Sequence, residues 1–133
     1  MGIDGQFVNR PYMKNMRSLF HPSADDIKVE SILHALSDPI RVQIFARIAQ
    51  AECPQTCSAF LELSDRAVPK STLSQHFKVL REAGLIRSER RGVELHNSTR
   101  CDELGQRFGP LIQSIIDAHK AEVERARKPR RAA

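Results

Sequence analysis

The chain has 133 residues, enough for one compact domain with short extensions, and at 41% hydrophobic and 28% charged it has the means to bury a core. Six Phe, one Tyr and no Trp argue against single-strand stacking platforms, sugar sites and aromatic-paired sandwiches. Three cysteines do not make a secreted disulfide framework, and no apolar run reaches the roughly 18–20 residues of a membrane span. The N-terminal stretch lacks the apolar segment of a secretory signal, so the expected setting is a reducing cytoplasm.

The net charge of +5 is concentrated. Between Arg66 and Arg91 lie Arg66, Lys70, Lys78, Arg81, Arg87, Arg90 and Arg91, opposed only by Glu82 and Glu89. That window carries the whole excess, although extending it to Asp65 and Glu94 trims it to +3. A second basic run, Arg125 to Arg131, closes the chain. It reads as a solvated tail, with non-specific phosphate contact as the alternative.

In chain order, residues 1–22 read as an arm in which Pro11 opens a short helix bearing Tyr12, Met13, Met16, Leu19 and Phe20. That piece is too small to fold alone, so it docks on its own domain or on a partner subunit. Ser23 with Asp26 resembles a capping box and predicts a helix burying Val29, Ile32, Leu33 and Leu36. Asp38-Pro39 supply the N-cap and first residue of the next helix, with Ile40, Ile44, Phe45 and Ile48 as its apolar stripe. Cys53-Pro54 ends it. A short helix from about Thr56 to Leu63 and a polar turn from Ser64 to Lys70 are expected next.

The helix expected over 70–83 carries the most information. Leu73, Phe77 and Leu80 share its inner face, whereas Ser71, Ser74, Gln75, Lys78 and Glu82 point away. Short polar side chains let a helix backbone approach base edges, and Gln forms bidentate contacts there. An ordinary solvated face has the same composition, so periodicity alone leaves both readings open. Gly84 stops the helix. Residues 85–97 then alternate around Arg91-Gly92 as a β-hairpin with an arginine-rich tip. Thr99 and Asp102 repeat the capping pattern ahead of a last helix that Pro110 kinks or restarts. Leu111, Ile112, Ile115 and Ile116, then Ala118 and Val123, give that helix a broad apolar face.

Helices, a polar-faced helix, a hairpin tipped with Arg and a long apolar final helix describe a winged helix-turn-helix, mainly α with a small β wing. The domain is expected over 23–124, with a tail over 125–133. A monomer leaves the outer faces of the first and last helices uncovered, so a two-fold homodimer on a palindromic site is expected. Met13, Met16, Phe20, Leu111, Ile112, Ile115 and Ile116 are its candidate contacts. Arg81 joins the candidate DNA contacts on the strength of the basic window.

The run Ala35-Leu-Ser-Asp-Pro-Ile-Arg41, followed by Ser71-Thr-Leu-Ser-Gln-His-Phe-Lys-Val-Leu-Arg-Glu-Ala-Gly-Leu-Ile86, resembles the ArsR-type family of bacterial winged-helix repressors over roughly residues 27–116. The resemblance implies a homodimeric, sequence-specific repressor of double-stranded DNA, often released by a metal ion or another small signal. By position, Ser71, Thr72, Ser74 and Gln75 match the family's base-reading stretch, with Lys78 on the same face, and Arg87, Arg90 and Arg91 match its wing. His76 also matches a frequent residue, and the wheel turns it toward the core as a packed or hydrogen-bonded histidine. Several positions depart from the pattern. Pro69 stands where a capping Ser or Thr is common, and the turn before it is longer than usual. Cys53 and Cys57 are spaced Cys-x₃-Cys rather than Cys-x-Cys. His119 and Glu122 fit half of a zinc sensor's ligand set, but Gln106 and Phe108 occupy the positions of the other half.

The thiols Cys53, Cys57 and Cys101 are read either as small apolar fillers or as a redox or soft-metal sensor, with arsenic(III) or another thiophilic ion as candidate ligand. An unrelated ligand in the dimer groove is the third alternative. No Gly-rich phosphate loop, nucleophile elbow or Cys-x-x-Cys motif supports an enzyme, so a thiol oxidoreductase is disfavoured. A winged-helix protein-interaction module is the remaining alternative, and the basic face counts against it.

Overall fold

The computed structural model describes residues 19–51, 54–56, 60 and 68–128. A 3₁₀ turn at Ala24–Asp26 leads into α1 (Val29–Ala35) and α2 (Pro39–Gln50). A two-residue strand β1 (Gln55–Thr56) follows, then α3 (Lys70–Glu82), the hairpin strands β2 (Ile86–Arg91) and β3 (Glu94–Thr99), and the long α4 (Cys101–Arg127). The sheet has the order β1-β3-β2 and is antiparallel throughout.

Asp38 is the N-cap of α2 as its sequence predicts: its Oδ1 accepts from the N–H groups of Ile40 (2.8 Å) and Arg41 (3.2 Å), with Pro39 at the first helical position. Ile44, Phe45 and Ile48 are buried on its inner face, where they meet Leu73, Phe77 and Leu80 of α3 and Leu104, Phe108, Ile112 and Ile116 of α4 in one core. Phe60 and Phe77 pack edge to face with ring centres 5.4 Å apart. Burying each of these side chains stabilises the fold by about 1.5–3 kcal/mol before entropy is charged against it.

Helix α3 ends in a Schellman motif. The N–H of Leu85 donates to Leu80 O (3.1 Å) and that of Gly84 to Arg81 O (3.0 Å). Gly84 has φ +88°, and a side chain there would collide with Ile27, which packs directly against it. This tight end aims the chain straight from α3 into the wing.

Several expectations give way to tertiary context. Ser23 and Asp26 do bond (2.9 Å), but they close only the 3₁₀ turn. The chain then extends through Ile27, which drops into the core, and α1 starts after Lys28 without a side-chain cap. Val29 and Leu33, expected inside, are 39% and 50% exposed. Thr56 lies in a strand rather than opening a helix, because β3 offers it a free edge: Gln55 pairs with Asn97 and Thr56 with His96. The rest of the expected 56–63 helix, apart from buried Phe60, lies outside the described residues. The hairpin turn sits at Gly92-Val93, one residue later than expected, since Arg91 pairs with Glu94. Gly92 takes φ +65° and Val93 does not take a positive φ, which is the type II′ pattern. Thr99 is the last residue of β3 rather than a cap, and α4 runs unbroken through Pro110 with apolar anchors on both sides of it, Phe108 and Ile112. Helix α4 also includes Arg125 and Arg127, so the basic tail begins as helix.

Candidate nucleic-acid interface

Helix α3 begins at Lys70 with Pro69 in extended conformation before it and no side-chain cap, so its first N–H groups are not taken by a cap side chain. Leu73, Phe77 and Leu80 anchor it inward. Ser71, Ser74, Gln75 and Lys78 are exposed, as the wheel predicts, and Thr72, named from the family resemblance, is exposed beside them. Small side chains at the N-terminal half and one cation at the next turn form an approach surface for a polar, negatively charged partner.

The helix is seated by a residue from the first of the two family-like runs. Arg41 Nε donates to Ala35 O (2.7 Å) and Nη2 to His34 O (3.3 Å), closing the C-terminal end of α1. Its Nη1 lies 3.3 Å from His76 Nδ1 on α3. His76 is half-buried and hydrogen-bonded, the role read for it, and Arg41 ties together three helices. Spacing alone did not reveal that role for Arg41.

On the wing, Arg87, Arg90 and Arg91 are exposed but not equivalent. Arg87 pairs with Glu103 (2.8 Å) and Arg91 with Glu89 (2.8 Å). Arg90 forms no ion pair among the described residues. Val93, at the tip, is 97% exposed. Arg81 departs from its expected role: it is buried, and its Nη1 donates to Ser88 Oγ (3.2 Å) inside the helix–wing junction. Its place on the inner side of α3 next to the wing base removes it from the phosphate-facing set.

Sequence reasoning also missed the anchors beneath the wing. Arg100 is buried, grips Glu103 with Nε (3.1 Å) and Nη2 (2.7 Å), and donates through Nη1 to Pro22 O (2.7 Å). Arg107 donates to Ala24 O (2.8 Å) and Ile27 O (3.0 Å). The hydrogen bonds from Arg100, then those from Arg87, pull the Glu103 carboxyl down to about 2. His21 Nε2 accepts the Ser88 N–H (3.0 Å) at the outer edge of β2. Burial first, then Arg87, with smaller effects from Arg81 and Arg100, lowers the His21 pKa and so favours the neutral ring that accepting this bond requires. The i, i+3 spacing of Arg100 and Glu103 was a readable signal; nothing in the sequence linked His21 to Ser88.

Of the candidate dimer contacts, Phe20 is 64% exposed, and Leu111 and Ile115 are partly buried against the core. Ile112 and Ile116 are 3% and 5% exposed and belong to the monomer's own core, which corrects their assignment. They occupy the inner side of α4, one residue round from Leu111 and Ile115. Met13 and Met16 lie outside the described residues, as do Cys53 and Cys57. Cys101 is exposed at the first residue of α4. Among the described residues no group of three or more His, Cys, Asp or Glu could hold a metal ion, and no helix is long and apolar enough to cross a membrane.

A family model described as a helix-turn-helix domain matches residues 36–89, the stretch from the end of α1 into β2. Among solved structures, an ArsR-like transcriptional regulator from Rhodococcus sp. RHA1 is similar at 23% identity and a TM-score of 0.48, over 76% of this chain and 93% of that one. No curated protein matches the chain.

Proposed function

We propose that this chain is a DNA-binding transcriptional regulator of the ArsR type, acting as a homodimeric repressor on a palindromic operator, a reading supported by the helix-turn-helix match over residues 36–89. The observation that carries the reading is the exposed polar face of α3, Ser71 to Lys78, set beside a wing whose Arg90 is left for phosphate. Gln75 and the adjoining hydroxyls discriminate bases, while Lys78 and Arg90, with a smaller share from the ion-paired Arg87 and Arg91, neutralise phosphates and supply most of the affinity. The protein acts by binding, not by turnover.

The dimer is supported by two uncovered apolar surfaces. Val29 and Leu33 share one face of α1, and a mainly apolar groove between the α1–α2 junction and α4 is lined by Leu36, Pro39, Val42, Ile115 and Ala118 together with Ser37, His119 and Glu122. A symmetric partner covers both and sets two copies of α3 on successive turns of the major groove.

The test is fluorescence anisotropy of the reduced protein on a duplex from upstream of its own gene, with a scrambled duplex and a salt series beside it. Tight, sequence-dependent binding at two chains per site is expected. If a random-sequence selection enriches no duplex and binding stays weak everywhere, a winged-helix protein-interaction module replaces this reading. A thiol-reactive or soft-metal signal acting at Cys53, Cys57 and Cys101 would release the DNA in the same assay.

A further inference from the structure

We propose that Arg81, Ser88 and Asn97 form a positioning device that sets the angle between α3 and the wing, so that sequence discrimination depends on side chains turned away from the duplex. The proposal rests on the DNA-reading function above. Arg81 Nη1 donates to Ser88 Oγ (3.2 Å), and that hydroxyl donates to Asn97 Oδ1 (2.6 Å). The amide of Asn97 donates on to Leu95 O (3.4 Å). All three residues are buried, at 8%, 6% and 0% exposure. Ser88 and Asn97 face each other in the β2–β3 register, and His21 takes the Ser88 N–H from the outer edge. Ser88 is thus held at once by the reading helix, by the partner strand and by the segment that precedes α1.

The apolar contacts at this junction lie at the base of the hairpin, where Leu85 and Ile86 are fully buried. Such contacts are non-directional, and the short β1 strand braces only the β3 side of the hairpin at Asn97 and His96, so β2 is left to be fixed against α3 by directed bonds. Hydrogen bonds have angular preferences, and the chain from α3 through Ser88 to Asn97 restrains the tilt of the wing. Burying a guanidinium carries a desolvation cost that an apolar side chain of similar volume would avoid. Burial energy alone is thus a weak reason for an arginine at this position, and the directed bond to Ser88 supplies a geometric one. Gln75 and Arg90 must meet one duplex from two different elements, and a tilted wing puts one of them out of reach when the other is in register.

The experiment uses the full chain and the variants Ser88→Ala, Arg81→Gln and their double. Affinities for cognate and scrambled duplexes are measured across a salt series, and residual dipolar couplings of α3 and wing amides are recorded without DNA. Each single variant is expected to lose about ten-fold on the cognate duplex, with scrambled binding and salt slope within about two-fold of the parent. The double variant should lose no more than the worse single, and the couplings should report a wing rotated relative to α3. Additive losses, equal losses on both duplexes with a flattened slope, or unchanged couplings each overturn the proposal. Should Arg81→Gln fail to fold, Ser88→Ala carries the test, since it deletes one oxygen. If the parent protein does not discriminate between duplexes, the DNA-reading function fails, and the couplings alone decide: a rotated wing supports the device and an unmoved wing refutes it.

Discussion

The two neighbouring wing arginines, Arg90 and Arg91, should behave differently on DNA. Arg91 is bound through Nε (3.0 Å) and Nη2 (2.8 Å) to the Glu89 carboxylate, so the pair presents little net charge to a phosphate. Arg90 has no such partner among the described residues. Each phosphate neutralised contributes about 0.9 to the slope of log affinity against log salt. Arg90→Ala should therefore flatten the slope by about 0.9. Between 50 and 200 mM salt, one such contact corresponds to about a three- to four-fold change in affinity. Arg91→Ala should flatten it by clearly less, because the guanidinium is already paired with Glu89 and so releases little counterion from a phosphate. Glu89→Gln should steepen the slope, since Arg91 is then available. Anisotropy titrations at five salt concentrations, on cognate and scrambled duplexes alike, resolve these differences. An Arg91→Ala effect as large as that of Arg90→Ala, with Glu89→Gln silent, would refute the argument from pairing.

Gln75→Ala should cost about 1–3 kcal/mol on the cognate duplex and leave scrambled binding unchanged; equal losses on both would show that Gln75 does not read bases. If the chain dimerises as proposed, Val29→Asp with Leu33→Asp should give a folded monomer by sedimentation, whereas Ile116→Asp should unfold the chain; a dimer that survives the first pair places the interface elsewhere. The pH dependence of stability follows from His21. Its folded-state pKa lies below the ordinary 6.5, so the unfolded chain binds the proton first. Stability attributable to His21 is full above pH 6.5 and falls as pH drops from there toward the folded-state value. Urea unfolding at pH 7.5 and 5.5 should show a larger acid loss in the parent than in His21→Ala, and equal losses would separate His21 from the wing.

Much of this protein is legible in its linear order. The Asp38-Pro39 cap, the α3 stripe of Leu73, Phe77 and Leu80, and the Gly84 stop follow from local rules that a few neighbouring residues satisfy by themselves. The exposed face of α3 follows too, because fixing the buried side of a helix fixes its opposite side.

What the order of residues left undecided is which of several equivalent side chains each element turns inward and which charges meet. Val29 and Leu33 carried the same apolar signal as Ile32, and Leu111 and Ile115 the same as Ile112 and Ile116; only packing against α2 and α3 sorts them into core and surface. Thr56 became a strand because β3 had an open edge, a partner 40 residues away. Arg81 and Arg90 were two cations of one basic window, yet one is buried against Ser88 and the other exposed on the wing. Local propensity depends on neighbours along the chain, whereas burial and pairing depend on neighbours across it, and those exist only once the helices and the wing have packed.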